Sequence, residues 1–247
     1  MGGSYRRAIV ETVHHYSGLR PEPAAIDALK AEGCWNNDWH ASLELLRRAG
    51  LGGAGGPPLP PFEALVAVFN GFYFGGDPEG DPAAWRGFIG SEPLLVERAF
   101  FEALSAASIA WGFVSGAEPP SARFVLRQRL GLSDPPMIAM GEAPDKPDPT
   151  GFLRLAADLI GMPLGPDAVP VAYLGDTVAD VLTVKRARER LPQQRFLSLA
   201  VAPPHLQAPD AAERRAAYEA QLLQAGADRV IPETARVLEA LETALAL

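Results

Sequence analysis

The sequence is poor in cysteine, lysine and histidine and has no long apolar run, and each shortage narrows its reading. Its 247 residues hold one cysteine, Cys34, so neither an internal disulfide framework nor an all-cysteine metal site can be built. Cys34 has no basic neighbour in sequence and reads as a small buried or loop thiol. No segment approaches 18 uninterrupted apolar residues, which excludes a helical membrane span. The opening MGGSYRRAIVETV lacks the apolar core of a signal peptide, so the cytoplasm is the expected compartment. Lys+Arg 22 against Asp+Glu 30 gives a net charge of -8, so a nucleic-acid partner held through its phosphates is not expected. Only three lysines occur, Lys30, Lys146 and Lys185. The four histidines, His14, His15, His40 and His205, form no constellation with other ligand types. Met137, Met140 and Met162 read as core.

What is present divides in two. Apolar residues at helical spacing, Ile9, Val10, Val13 and Tyr16, predict a helix over residues 4–16, capped by Ser4. Further helices are predicted at 23–31, 41–50, 62–74 and 93–106. The Gly/Pro stretch 51–61 is a linker that cannot form a regular element. The period then changes. Short apolar runs at 108–114, 137–140, 171–175, 196–201 and 229–231 read as buried strands. They alternate with helices at 119–130, 149–160, 178–190, 211–226 and at the C-terminus. Strand–helix repetition means a parallel sheet with helices on both faces, a Rossmann-like α/β architecture. The expected organisation is a helical domain over 1–106 and an α/β domain over 107–247.

Ligands of open parallel sheets sit beyond the carboxyl ends of the strands. Three such ends carry distinctive polar residues. In GDTVAD, Asp176 follows an apolar strand and Asp180 lies four residues on, in the first turn of a helix. The pair could share one side and hold a hard cation such as Mg²⁺ through oxygen. The same two acids could equally cap that helix and oppose its dipole. Lys146 stands in the proline-rich loop PDKPDP, suited to balancing a carboxylate and a phosphoryl group, or simply solvated. Ser115 ends the first strand before Gly116 and could donate a hydrogen bond to a phosphoryl oxygen, with a neighbouring N–H giving another, or could be an ordinary turn serine. In the helical region, Trp35, Asn36, Asn37 and Asp38 could form a polar, partly aromatic substrate wall, or could pack Trp35 and Trp39 and leave the amides wet.

Taken together and in order, these signals resemble the haloacid dehalogenase superfamily of phosphohydrolases, in its helical-cap branch. Ser115 in WGFVSG is similar to the family's second motif, Lys146 in KPDP to the third, and Asp176 and Asp180 in GDTVAD to the fourth. The resemblance implies that Ser115 and Gly116 hold the transferring phosphoryl and that Lys146 neutralises it. It implies that Asp176 binds Mg²⁺ and that Asp180 supports the ion or orients the lysine. Trp35, Asn36 and Asn37 would face the substrate, a small phosphorylated metabolite, in a monomer or homodimer. The implied activity is Mg²⁺-dependent hydrolysis of a phosphate monoester through an aspartyl-phosphate. A phosphosugar mutase of the same superfamily, or a non-catalytic protein that binds a phosphorylated ligand or a partner, are the alternatives.

The resemblance departs at one place. The family's first motif is a central strand followed by Asp-x-Asp-Gly, whose first Asp is the nucleophile. Here no aspartate precedes Asp27, which follows no strand. Without that strand, those ending at Ser115 and Asp176 would expose inner edges. Three outcomes are open: the two strands pair directly, the domain is marginal, or the sequence starts at an internal methionine with the motif upstream. The last is the favoured expectation.

Overall fold

The computed structural model describes residues 3–245. The chain divides into two compact units, Met1–Pro93 and Leu94–Leu247. The division falls earlier than the expected boundary after 106. The helix at Arg98–Ala106 (α5) belongs with the second unit because Phe101 and Leu104 are buried in that unit's core.

The first unit is built from α1 (Gly3–Ser17), α2 (Pro23–Ala31), α3 (Asp38–Arg48) and α4 (Phe62–Tyr73). α1 packs on both α3 and α4 through Ile9 and Val13 of the predicted stripe together with Ala8, while Val10 and Tyr16 are only half-buried. Tyr5 stacks on Tyr73 at 4.2 Å between ring centroids, and Phe69, Phe74 and Ile89 are fully enclosed. The start of α1 is capped from far along the chain. Glu92, 2% exposed, accepts from the Gly3 N–H at 3.1 Å and the Ser4 N–H at 2.6 Å, and from the Ser4 hydroxyl. A carboxylate at a helix N-terminus answers both the orphan N–H groups and the helix dipole. It also fastens the unit's first helical turn to its last residues. Ser4 is thus a donor to this cap rather than the cap itself.

Among its described residues the second unit carries five strands: β1 (Phe113–Val114), β2 (Met137–Ile138), β3 (Val171–Gly175), β4 (Phe196–Val201) and β5 (Arg229–Ile231). The helices between and after them are α6 (Pro119–Arg123, continued by a π-helical turn over Phe124–Arg129), α7 (Thr150–Ile160), α8 (Val178–Arg190), α9 (Ala212–Ala225) and α10 (Val237–Leu245). All pairings are parallel. Alternation along β4 explains the two faces. Leu199 and Val201 join Phe101, Leu126, Ile231 and Leu241 on one side, while Phe196 faces Phe152 and Ala156 of α7 on the other. The Rossmann-like α/β expectation, with helices on both faces, holds. Among the described residues no helix is long and apolar enough to cross a membrane.

The strands form two ladders, β1–β2 and β3–β4–β5. β1 and β3 do not pair, so the expectation that they might close up directly is not met. Yet both ladders share the same cores: Val114 and Tyr173 pack with Phe152, and Phe113 and Leu174 with the cluster around Leu199. In β3 the Val171 N–H donates to the Arg195 carbonyl, on the β4 side. The N–H groups of Ala172 and Leu174 therefore point to the opposite edge, which no described strand occupies.

Candidate active site

Ser115 closes β1. Its N–H donates to the Ile138 carbonyl at 2.8 Å, the last rung of the short β1–β2 ladder. Its Oγ accepts from the Ala117 N–H at 3.0 Å, which curls the chain through Gly116 towards α6. The hydroxyl proton is still available for donation. Met140 N–H donates to the Ala117 carbonyl at 3.0 Å and joins this loop to the one after β2. That second loop carries Lys146. Asp148 Oδ1 accepts from the Thr150 N–H at 2.8 Å and so starts α7 just past the lysine.

The turn from β3 into α8 holds Asp176 and Asp180, the two acids of GDTVAD. Thr177, not an aspartate, is the N-cap of α8. Its Oγ1 accepts from the Asp180 N–H, and the Asp180 carboxylate answers by accepting from the Thr177 N–H, forming a capping box. The tight return depends on Gly175. A Cβ there would stand 2.3 Å from the Asp180 Cβ, well inside contact. Gly175→Ala is expected to cost about 1–3 kcal/mol from overpacking. Urea unfolding checks this; an unchanged midpoint would show that the turn can yield.

Lys146 and Asp180, thirty-four residues apart, meet at 2.6 Å between Nζ and Oδ1. Their side chains are 13% and 5% exposed. Tyr173 of β3 donates its hydroxyl to the same Oδ1 at 3.0 Å. The other oxygen, Oδ2, accepts from the Thr177 N–H at 3.0 Å and the Thr177 hydroxyl at 2.7 Å. The four acceptor positions of a carboxylate are thereby filled. Burial would push the Asp180 carboxyl up, but the Lys146 charge and these hydrogen bonds outweigh it and hold it below the usual range. Burial would likewise push Lys146 down. The Asp180 charge and hydrogen bond, with Tyr173 beside them and a smaller contribution from Asp176, win and raise it. Tyr173 is pushed up, chiefly by burial.

Asp176 thus lies within electrostatic reach of Lys146, at the strand end where the sequence put it. Its backbone carbonyl accepts from the Tyr218 hydroxyl of α9 at 3.0 Å. Among the described residues no cluster of three or more His, Cys, Asp or Glu side chains suited to a metal ion is present. The oxygen chemistry of Asp176 suits Mg²⁺, which binds proteins through one or two carboxylates and keeps several waters. Asp180, expected beside it as a ligand, has its oxygens engaged by Lys146, Tyr173 and Thr177.

Trp35, Asn36 and Asn37 lie in the helical unit, on the loop between α2 and α3. Lys30 organises that loop, donating to the Trp35 carbonyl at 2.7 Å and the Asn36 carbonyl at 3.2 Å and pairing with Asp38 at 2.6 Å. Asn37 is the N-cap of α3, its Oδ1 accepting from the N–H groups of Trp39 and His40. Trp35 donates its ring N–H to Glu32 at 2.7 Å.

Sequence reasoning missed Tyr173, Thr177, Gly175 and Tyr218. A tyrosine in the apolar strand VAYLG was a signal for the first, since a buried hydroxyl requires a partner. Nothing in sequence ties Tyr218 to a carbonyl forty-two positions away.

No family model matches the chain, and no curated protein matches it. Solved structures do. One is a phosphonoacetaldehyde hydrolase-like protein from Oleispira antarctica, at 17% identity and TM-score 0.65, covering 98% of this chain and 85% of that one. Another is a protein assigned as a beta-phosphoglucomutase from Thermotoga maritima, at 17% identity and TM-score 0.53, with coverages of 97% and 91%. A third is a protein assigned as a haloacid dehalogenase-like hydrolase from Bacteroides fragilis, at 18% identity and TM-score 0.51, with coverages of 94% and 92%. The chain is a parallel α/β protein with a helical unit ahead of its strands. More particularly, it has the fold of these haloacid dehalogenase-like structures, a Rossmann-like α/β unit preceded by a helical one.

Proposed function

We propose that the chain carries most of a Mg²⁺-dependent phosphohydrolase site for a small phosphate monoester, and that its nucleophilic aspartate comes from a strand upstream of Met1. The observation that carries this reading is the buried Lys146–Asp180 pair, 2.6 Å long, at the strand end where the Asp176 charge also reaches the lysine. A scaffold has little use for an enclosed ammonium–carboxylate pair, since burying a charge pair stabilises weakly or not at all.

In this reading Lys146 opposes the negative charge of the phosphoryl oxygens and Ser115 donates its hydroxyl proton to one of them, with a neighbouring backbone N–H giving a second bond. Asp176 is the residue that would hold Mg²⁺, which supplies further positive charge to the same oxygens. Asp180 keeps the lysine charged and aimed. The Trp35–Asn37 loop, pinned by Lys30, is assigned to the leaving group by family resemblance. The unoccupied edge of β3 supports the upstream strand, because the strand bearing the nucleophile in this fold lies between the strands that here end at Ser115 and Asp176. Calorimetric titration with Mg²⁺ in inorganic phosphate tests the site. Binding is expected, weakened about tenfold or more in Asp176→Asn, in line with the loss of one metal-binding carboxylate. Equal binding by the two proteins, or none by either, would remove the metal site.

A further inference from the structure

We propose that Tyr173 is a positioning residue that sets the direction of the Lys146 ammonium. The proposal borrows from the phosphohydrolase reading only the identity of the oxyanion the lysine addresses. Tyr173 sits on β3 in an apolar cluster with Phe152, Ala156, Val184 and Phe196. Its ring meets Phe152 edge-on at 4.9 Å between centroids, a contact phenylalanine would make equally well. The hydroxyl is what phenylalanine lacks. Burying it is costly unless it is bonded, and it donates to Asp180 Oδ1 at 3.0 Å, the oxygen that holds Lys146 at 2.6 Å.

The geometry explains what that bond does. Thr177 takes Oδ2 with both its N–H and its hydroxyl, which stops the carboxylate from turning. One oxygen, Oδ1, is left for the lysine, and it has two lone-pair positions. Tyr173 occupies one of them. The ammonium is confined to the other, so the protons it does not give to Asp180 keep one bearing. Without the hydroxyl, the lysine has two seats on Oδ1 and no fixed aim. Tyr173 therefore acts on Lys146 through their shared oxygen of Asp180, and as its immediate neighbour, and need not touch the substrate.

The test uses the full chain with nitrogen-15 in its lysine side chains. There are three lysines, so the Lys146 ammonium signal can be assigned with a Lys146→Arg variant. In Tyr173→Phe the ammonium protons of Lys146 are expected to exchange with water about tenfold faster and the signal to move. Affinity for inorganic phosphate should fall by a similar factor, the size expected for one hydrogen bond to a charged group. Phe152→Leu loosens the same cluster without touching Asp180 and serves as the packing control. If it changes Lys146 exchange as much as Tyr173→Phe does, or if Tyr173→Phe changes nothing, Tyr173 is only a core residue and the proposal is overturned. If Tyr173→Phe alone speeds exchange while neither protein responds to phosphate, the positioning role stands and the phosphohydrolase reading fails.

Discussion

Joining an apolar strand that ends in Asp-x-Asp ahead of Met1 is expected to convert an inert chain into an active phosphatase and to raise its melting temperature. The 247-residue chain by itself is expected to release no phosphate from small esters. Its fourth-motif acids are both committed by the proposed mechanism, Asp176 to the metal and Asp180 to Lys146. Loss of a covalent nucleophile costs on the order of 10⁴-fold or more in other enzymes, so the contrast between the two proteins should be of that order. The stability gain follows from the two ladders. Among the described residues β1 bonds only to β2, and β3 only to β4, while α7 and the cluster around Leu199 span both ladders. A strand placed between them would satisfy N–H and C=O groups such as those of Ala172 and Leu174, each bond contributing about 0.5–1.5 kcal/mol, and would add apolar burial. Phosphate release and thermal unfolding measured side by side decide the matter. Turnover by the shorter chain, or an extension that neither stabilises nor activates, would contradict the proposed upstream strand.

The second large effect concerns the buried pair. Lys146→Met should destabilise the protein by about 3–5 kcal/mol near neutral pH, because it strands a carboxylate that is 5% exposed. The pH dependence has a definite sign. Asp180 titrates lower in the folded protein than its ordinary 3.8, so its contribution is present above that pH and is lost as pH falls through the folded value. Lys146 titrates higher than its ordinary 10.5, so its contribution is complete below that pH and is lost progressively as pH rises from there through the folded value. Wild-type stability from the pair should therefore be level between about pH 4 and 10. In Lys146→Met, acidification protonates the stranded carboxylate and relieves the penalty, so the gap between the two proteins should narrow towards pH 4. Urea midpoints across that range provide the check. A constant gap would mean that Asp180 stays charged and well accommodated without its lysine.

Much of this was legible in the residues. β3, α8, β4 and β5 begin and end where the apolar runs and their flanking polar residues put them, at 171–175, 178–190, 196–201 and 229–231. Those runs are bounded by strong signals, Gly175-Asp176 at one end and a proline or charged residue at another. The first two strands are shorter than their apolar runs. Residues 108–112 are apolar enough for a strand, but Ser108 adopts a positive φ of 57° and Trp111 is spent on Phe101 and Phe113. Pairing with β2 begins only at Phe113. Likewise the chain after Ile138 turns off, as Met140 bonds to Ala117 instead of a strand neighbour. Hydrophobicity reports burial, and a ladder needs a partner as well. In the same way, Lys146 and Asp180 could be picked out by type and spacing. That Asp180 would have all its lone pairs claimed could not, because Lys146 and Tyr173 reach it only once the loop after β2, β3 and α8 are folded against one another, whereas Thr177 is its local capping-box partner.

The clasp between Glu92 and the first turn of α1 has a consequence for the whole molecule. It brings the two ends of the helical unit to a single point, so that the unit closes on itself. Such a module can be exchanged for one of another shape by cutting at two neighbouring positions, leaving the strand sequence of the α/β unit untouched. Changes inside the helical unit are, by this construction, separable from the strand order that defines the α/β unit.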